Sequence, residues 1–269
     1  MTRPGPGGQP LVLLEDLGGG IARITLNRPA KRNAMSRSAR KALVEALDEC
    51  TGTSKVIVLT GAGPAFCAGV DLTEPDSSAT GPGDGADERR LTWLSVQDQI
   101  WHHPAIVIAA VNGFALGGGV TLINSSDLAI AADDAQIGMP EIGFGLYPGL
   151  AGPSTQLRLS AKRAAWMVLT ADRVSGRTAA EWGLVNRSVP AADLPGEALA
   201  LASLIASRDA ATLEWCKRAL HEVPMHISDW SAALAYGEAV GTQIRARTGT
   251  VAQGLAAFGR GERNPGQGA

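Results

Sequence analysis

Apolar and polar positions along the chain predict short strands, some of them paired, separated by helices. Residues 11–14 are apolar, an LGGG stretch follows, and residues 21–26 (IARITL) alternate with a period of two. Together they predict a hairpin closed by a glycine turn. Pro29 ends the second strand. Ser36 suits an N-cap for a helix running to about Glu49, with Ala39, Leu43, Ala46 and Leu47 on one face. Residues 55–63 (KVIVLTGAG) read as a buried strand ending in a glycine turn.

Residues 75–87 are rich in Pro, Gly, Ser and Asp and read as a mobile surface loop, because the strand and helix pattern resumes beyond them. A helix is predicted over 88–100, a buried strand over 105–113 (AIVIAAVNG), and a helix opening at GGGVTLINSS. DLAIAA and AQIGM are two further short strands. From Ser160 onward the periodicity is helical, with helices predicted over 162–169, 178–183, 194–207, 210–220 and 228 to about 246. The polar, Gly-rich residues 259–269 and the Pro/Gly-rich residues 1–10 read as flexible tails. The expected organisation is a core over 11–195 and a helical region over 196–258.

Composition narrows the possible functions. The 269 residues are 45% apolar, enough for a sizeable core, and 24 basic residues against 26 acidic ones leave a net charge of −2. No basic stripe points to nucleic acid. The longest strongly apolar run, residues 105–111, is too short to cross a bilayer. The first ten residues lack the apolar segment of a secretory signal. Cys50, Cys67 and Cys216 are odd in number and far apart, so neither a disulfide framework nor a zinc site is expected. Free thiols in a cytoplasmic protein are the expectation.

Two glycine-bearing turns follow strands: GPAFCAGVDL (63–72) and NGFALGGGV (112–120). Neither is a phosphate-binding loop, since no Gly-Lys-Ser/Thr follows, and neither has dinucleotide-binding spacing. A glycine run at a helix N-terminus leaves backbone N–H groups unpaired and unshielded, in a field that favours a negative oxygen. Such a turn can serve as an oxyanion hole, or its glycines can merely permit close packing. Glu141, in GMPEIGFG, is the carboxylate placed to pair, face water, or work as an acid or base with a raised pKa. Asp71 and Asp127 read as capping residues, and His102 and His103 as structural. Ser125 and Ser126 lie outside any G-x-S-x-G elbow.

Five segments in order, LNRPAKRNAMS, VIVLTGAGPAFCAGVDL, AIVIAAVNGFALGGGV, SSDLAIAADDAQIGMPEIGFGLYPG and LTADRVSGRTAAEWGLVNRSVP, resemble the enoyl-CoA hydratase/isomerase family, the crotonase superfamily. The resemblance runs from about Leu11 to Phe258. It implies an α/β fold, a right-handed spiral of repeated ββα units, with C-terminal helices that mediate trimers and hexamers. It also implies an acyl-CoA thioester substrate, with coenzyme A belonging to the substrate and no separate cofactor or metal. The thioester oxygen would be held by the N–H groups of Val70 and Gly118. Lys31 and Arg32 match a stretch near the CoA adenine and phosphates, although a solvated-surface role is equally open for them. Ala68, Asp71 and Leu72 match the substrate-binding turn.

One departure stands out. Hydratases of the family carry two glutamates. Glu141 matches the second, while the first falls on Thr121, whose hydroxyl can orient a water or a substrate group but cannot act as a base. Three activities remain: isomerisation by Glu141 alone, hydration and cleavage of a feruloyl-CoA-like substrate, or slow hydration with Thr121 orienting water. A CoA-binding protein without catalysis is the non-enzymatic alternative. Tyr147 and Tyr236 are candidates to meet a phenol, with Tyr236 also open to packing or to a neighbouring subunit's pocket. Ala151-Gly152-Pro153 is expected to alter the pocket wall.

Overall fold

The computed structural model describes residues 9–73 and 92–262. The surface loop expected at 75–87 lies outside them, as do most of each predicted tail and the first residues of the helix expected at 88–100. Strands β1 (Val12–Gly18) and β2 (Ile21–Leu26) form the antiparallel hairpin, turned by glycines with positive φ at 18, 19 and 20. Helix α1 (Arg37–Cys50) follows, capped by the Ser36 hydroxyl, which accepts from Ala39 N–H. Its apolar stripe, with Leu43 and Leu47 fully buried, packs beneath the hairpin. Each such leucine contributes on the order of 2 kcal/mol.

The next three turns of chain repeat one rule. β3 (Val56–Gly61), β5 (Ile106–Val111) and β7 (Leu128–Ala132) add parallel strands beside β2. Each is followed by a three-residue strand that leaves for a second sheet: β4 (Ala65–Cys67), β6 (Phe114–Leu116) and β8 (Gln136–Gly138). Helix α2 (Trp93–His102) precedes β5, and α3 (Gly118–Ser125) follows β6. After helices α4 (Ala151–Gln156) and α5 (Ala161–Thr170), strand β9 (Val174–Ser175) closes the small sheet. Helix α6 (Gly176–Trp182) then leads to β10 (Arg187–Val189), which closes the large one. The large sheet has the order β1-β2-β3-β5-β7-β10, the small one β4-β6-β8-β9. β5 is buried at every position, as a strand covered on both faces must be.

Helix α7 (Leu194–Ala206) packs against the large sheet. Helices α8 (Ala210–His226), α9 (Trp230–Arg247) and α10 (Thr250–Gly259) complete the described chain. α8 runs past the expected end at residue 220, through Pro224, and α10 is a helix that the sequence pattern did not resolve. α8 is pinned to the core by Lys217. Its buried ammonium pairs with Asp127 at 2.8 Å and donates to the carbonyls of Ile100 and Ala105. Asp127 is therefore not a helix cap. It accepts from Val107 N–H, pairs with Lys217, and lies 3.2 Å from His221 Nε2. His103 is structural as expected: Nε2 meets the Leu47 carbonyl and Nδ1 accepts from Ala105 N–H.

Candidate active site

The three short parallel strands of the small sheet end together, and each delivers one part of a site. Ligand sites of parallel sheets form at such carboxyl ends. β4 pairs with β6 and β6 with β8, the latter in the register Ala115↔Ile137 and Leu116↔Gly138. Just beyond the strand ends lie Val70, Gly118 and Glu141. The periodicity did not resolve β4 and β6 as strands, because three residues are too few to show a period.

Gly69 and Gly118 bring the two turns together. Gly69 has φ +90°, and a β-carbon on it would stand 2.8 Å from the Leu116 carbonyl oxygen and 3.1 Å from Gly118 N. The neighbouring Val70 is exposed, and around it Met35 N–H donates to the Gly69 carbonyl and Asp71 N–H to the Met35 carbonyl. Val70 N–H has no backbone acceptor among the described residues. Gly118 is the first residue of α3, so its N–H precedes the intrahelical ladder.

The three glycines of the run are required for three different reasons. At Gly117 (φ +50°) a β-carbon would stand 2.5 Å from Glu141 Oε1; at Gly118 it would meet the Trp93 ring at 2.6 Å; at Gly119 it would meet the Cys67 carbonyl oxygen at 2.1 Å. Close packing therefore accounts for a glycine at each of the three positions.

Glu141 lies in a 3-10 turn, Pro140–Phe144, between β8 and α4. Its Oε2 is buried and has no hydrogen-bond partner among the described residues. Burial raises its pKa above the ordinary carboxyl value, opposed by a hydrogen bond from its own backbone N–H. Exposed Ile142, Phe144 and Leu146 follow it in the chain, and a desolvated carboxylate with a raised pKa is a candidate acid or base.

Thr121 is completely buried. Its Oγ1 accepts from the Trp93 indole N–H at 3.0 Å and donates to the Gly118 carbonyl at 2.6 Å. Ser125 and Ser126 donate back to the Thr121 and Leu122 carbonyls, as helix hydroxyls do.

The remaining candidates surround the first turn. Asp71 is buried and held at a pKa of about 2 by the Thr73 hydroxyl and by Arg28, whose guanidinium pairs with it at 2.9 Å. Arg28 also donates to the Ala34 carbonyl. Ala68 is half-buried, and its N–H donates to the Arg32 carbonyl; Leu72 is 78% exposed. Lys31 and Arg32 are exposed, without an ion pair among the described residues, and the Arg32 guanidinium lies 5.0 Å from the Phe114 ring centre. Asn33, missed by the sequence reading, ties this segment down. It is buried at φ +57°, accepts from Arg28 N–H, and donates to the Ala62 and Ala65 carbonyls.

Tyr147 is exposed, and its hydroxyl accepts from Gln156 and crowds Gly152. Tyr236 lines a cleft with Trp101, His103 and Trp215, apart from Glu141. Among the described residues no cluster of His, Cys, Asp and Glu suits a metal, and no helix is long and apolar enough to cross a membrane.

Known proteins are similar to this chain in sequence and fold. The enoyl-CoA hydratase/isomerase family model matches residues 16–237. The hydroxycinnamoyl-CoA hydratase-lyase of Pseudomonas fluorescens is 35% identical over 205 residues, 74% of this chain and 74% of that protein. The 2,3-dehydroadipyl-CoA hydratase of Escherichia coli is 38% identical over 206 residues, 74% of this chain and 77% of that one. The crystal structure of an enoyl-CoA hydratase from Mycobacterium smegmatis matches with a TM-score of 0.85 at 30% identity, covering 95% of this chain and 98% of the other. With a family model spanning most of its length and a spiral of paired strands that matches solved crotonase folds, the chain belongs to the enoyl-CoA hydratase/isomerase family of the crotonase superfamily.

Proposed function

We propose that this protein transforms an enoyl- or acyl-CoA thioester through an enolate, with Glu141 as its sole catalytic carboxylate. The thioester oxygen sits between the N–H groups of Val70 and Gly118, and the preorganised dipoles stabilise its negative charge as a proton leaves the α-carbon. Glu141 takes that proton and, in an isomerisation, returns it to the γ-carbon as the double bond moves. One base suffices, and no atom is added from outside. The observation that carries this reading is the buried, unpartnered Glu141 Oε2 beside Gly117.

Isomerisation is favoured over ordinary hydration because the second polar side chain, Thr121, is fully engaged and sealed from solvent. Any hydration relies on water held from the Glu141 side. Coenzyme A enters as part of the substrate. Lys31 and Arg32 are free to meet its phosphates, with Ala68, Asp71 and Leu72 shaping the turn it crosses. Exposed Trp230, Leu234, Leu255 and Phe258 on the last helices support self-association into trimers or hexamers.

A second reading, hydration and cleavage of a hydroxycinnamoyl-type thioester, is favoured by the likeness to the Pseudomonas fluorescens hydratase-lyase. Product analysis with crotonyl-CoA, 3-hexenoyl-CoA and feruloyl-CoA separates the readings. Double-bond migration in 3-hexenoyl-CoA supports the first, and an aldehyde from feruloyl-CoA the second. Crotonyl-CoA hydration at the rates of two-glutamate enzymes would overturn the one-carboxylate reading. Glu141→Gln turning over acyl-CoA as fast as the parent would show that Glu141 is not the catalyst, and a parent that binds these thioesters without turning any over would leave a CoA-binding protein.

A further inference from the structure

The edge of the Trp93 indole touches both halves of one turn. Its Cζ2, Cε2 and Nε1 atoms lie 2.6, 2.8 and 3.0 Å from where a Gly118 β-carbon would be. The same Nε1 donates to Thr121 Oγ1 at 3.0 Å, and that hydroxyl donates to the Gly118 carbonyl at 2.6 Å. Trp93 is itself buried and anchored at the first turn of α2, where the Thr92 hydroxyl caps the helix and Gln97 donates to the Trp93 carbonyl.

Gly118 has no side chain to restrain it, and glycine backbone is the most mobile there is. An oxyanion donor must nevertheless hold its direction within a few tenths of an ångström to favour the transition state over the ground state. Here the α-carbon of Gly118 is pressed by the indole, and its carbonyl is drawn by the hydroxyl that the same indole orients. The α-carbon and the carbonyl that follow the Gly118 N–H are thus both restrained from one side chain on another helix, which limits rotation about the Gly118 backbone.

We propose that Trp93 and Thr121 form a positioning pair that aims the Gly118 N–H at the substrate oxygen, which assigns Thr121 a role unrelated to water. The proposal rests on the oxyanion role of Gly118 stated above. The pair does not touch substrate. It acts through the Gly118 peptide, and it accounts for a threonine at a position where nothing faces the solvent.

The test uses acetoacetyl-CoA, whose enolate absorbs in the near ultraviolet, so that the enolate fraction of bound ligand can be read against pH on the full-length protein. The parent lowers the apparent pKa of enolisation of the bound ligand, the C2 proton passing to Glu141 or solvent. Trp93→Phe keeps the ring and loses the N–H; Thr121→Val keeps the volume and loses the hydroxyl. Each is expected to lose about tenfold of the enolate stabilisation, roughly one pH unit, a fraction of what removing a whole oxyanion donor costs. Thr121→Ser restores the parental value, and the double variant is no worse than either single, because both act on one path.

Parental enolisation in both single variants, or losses that simply add in the double, would overturn the pair while leaving the oxyanion hole standing. A parent that does not shift enolisation at all would overturn the oxyanion reading and the pair with it. If Trp93→Phe does not fold, Thr121→Val against Thr121→Ser carries the same readout.

Discussion

Gly117 and the Glu141 carboxylate are in contact, so that a single methyl group on the glycine would overlap Oε1 at 2.5 Å. The carboxylate proposed as the catalyst is thus placed by the absence of a side chain on another turn. Gly117→Ala is expected to displace Glu141 and to strain a backbone at φ +50°. Turnover should fall on the order of a hundredfold, as for a misplaced catalytic group, with stability lowered by only ~1 kcal/mol. Steady-state kinetics and urea unfolding on the same preparation check both halves; a variant with parental turnover would show that Glu141 need not stay where Gly117 leaves it.

The raised pKa of Glu141 has opposite consequences for activity and stability. As a base it must be ionised, so the acid limb of kcat/KM should lie above that of a solvated glutamate. The folded state, with the higher pKa, holds the proton more tightly than the unfolded chain. Folding is therefore favoured as pH falls through that pKa, and above it the ionised carboxylate costs stability. Glu141→Gln should be inactive yet at least as stable as the parent at pH 7. A pH–rate profile and melting curves at two pH values test this, and a less stable Gln variant would contradict the sign.

Replacing Thr121 by glutamate should not create a hydratase. The site is sealed by Trp93, and a carboxylate there would be buried beside an indole and a carbonyl oxygen, with no cationic side chain bonded at this position among the described residues. Thr121→Glu is expected to lose at least ~2 kcal/mol of stability and to gain no crotonyl-CoA hydration. Only Trp93→Ala combined with Thr121→Glu opens space for water. Efficient hydration by the single variant would show that Trp93 does not close the site.

Lys217 uses its ammonium on Asp127 and two carbonyls, all below the surface. Lys217→Ala leaves the Asp127 carboxylate without its cation and should cost about 3–5 kcal/mol, whereas Lys217→Ala with Asp127→Asn should recover part of it. Chemical denaturation of the parent, Lys217→Ala, Asp127→Asn and the double variant measures the coupling; strictly additive losses would mean the pair is incidental.

Much of this was legible beforehand. The β2, β3, β5 and β7 strands carry strong apolar runs, and the Ser36 cap and the Gly-rich turns are local signals. The family motifs place Val70, Gly118 and Glu141 at one site, where the small sheet brings its strand ends together. What escaped depends on contacts distant in sequence. Trp93 is one apolar residue in an amphipathic helix until it reaches Thr121. Lys217 sits in an ordinary helical stretch, CKRAL, with nothing to reveal that it is buried. Asp127 looked like a cap because caps are the commonest use of an aspartate at an element boundary, but its partners come from β5 and α8. β4 and β6 are too short to carry a period. Asn33 lay in plain view inside RPAKRNA, yet its work is done by a side chain bonded to carbonyls near the end of β3 and at the start of β4.

The small sheet has a consequence for quality control. Its parallel strands are three residues each, and their ends bring Val70, Gly118 and Glu141 to one side of the fold. A one-residue slip of β6 would separate Gly118 from both partners while leaving the strand order of the large sheet intact. Such a molecule would keep most of its secondary structure and lose the site. For this chain, specific activity per folded molecule is therefore a finer gauge of correct folding than any spectroscopic measure of folded mass.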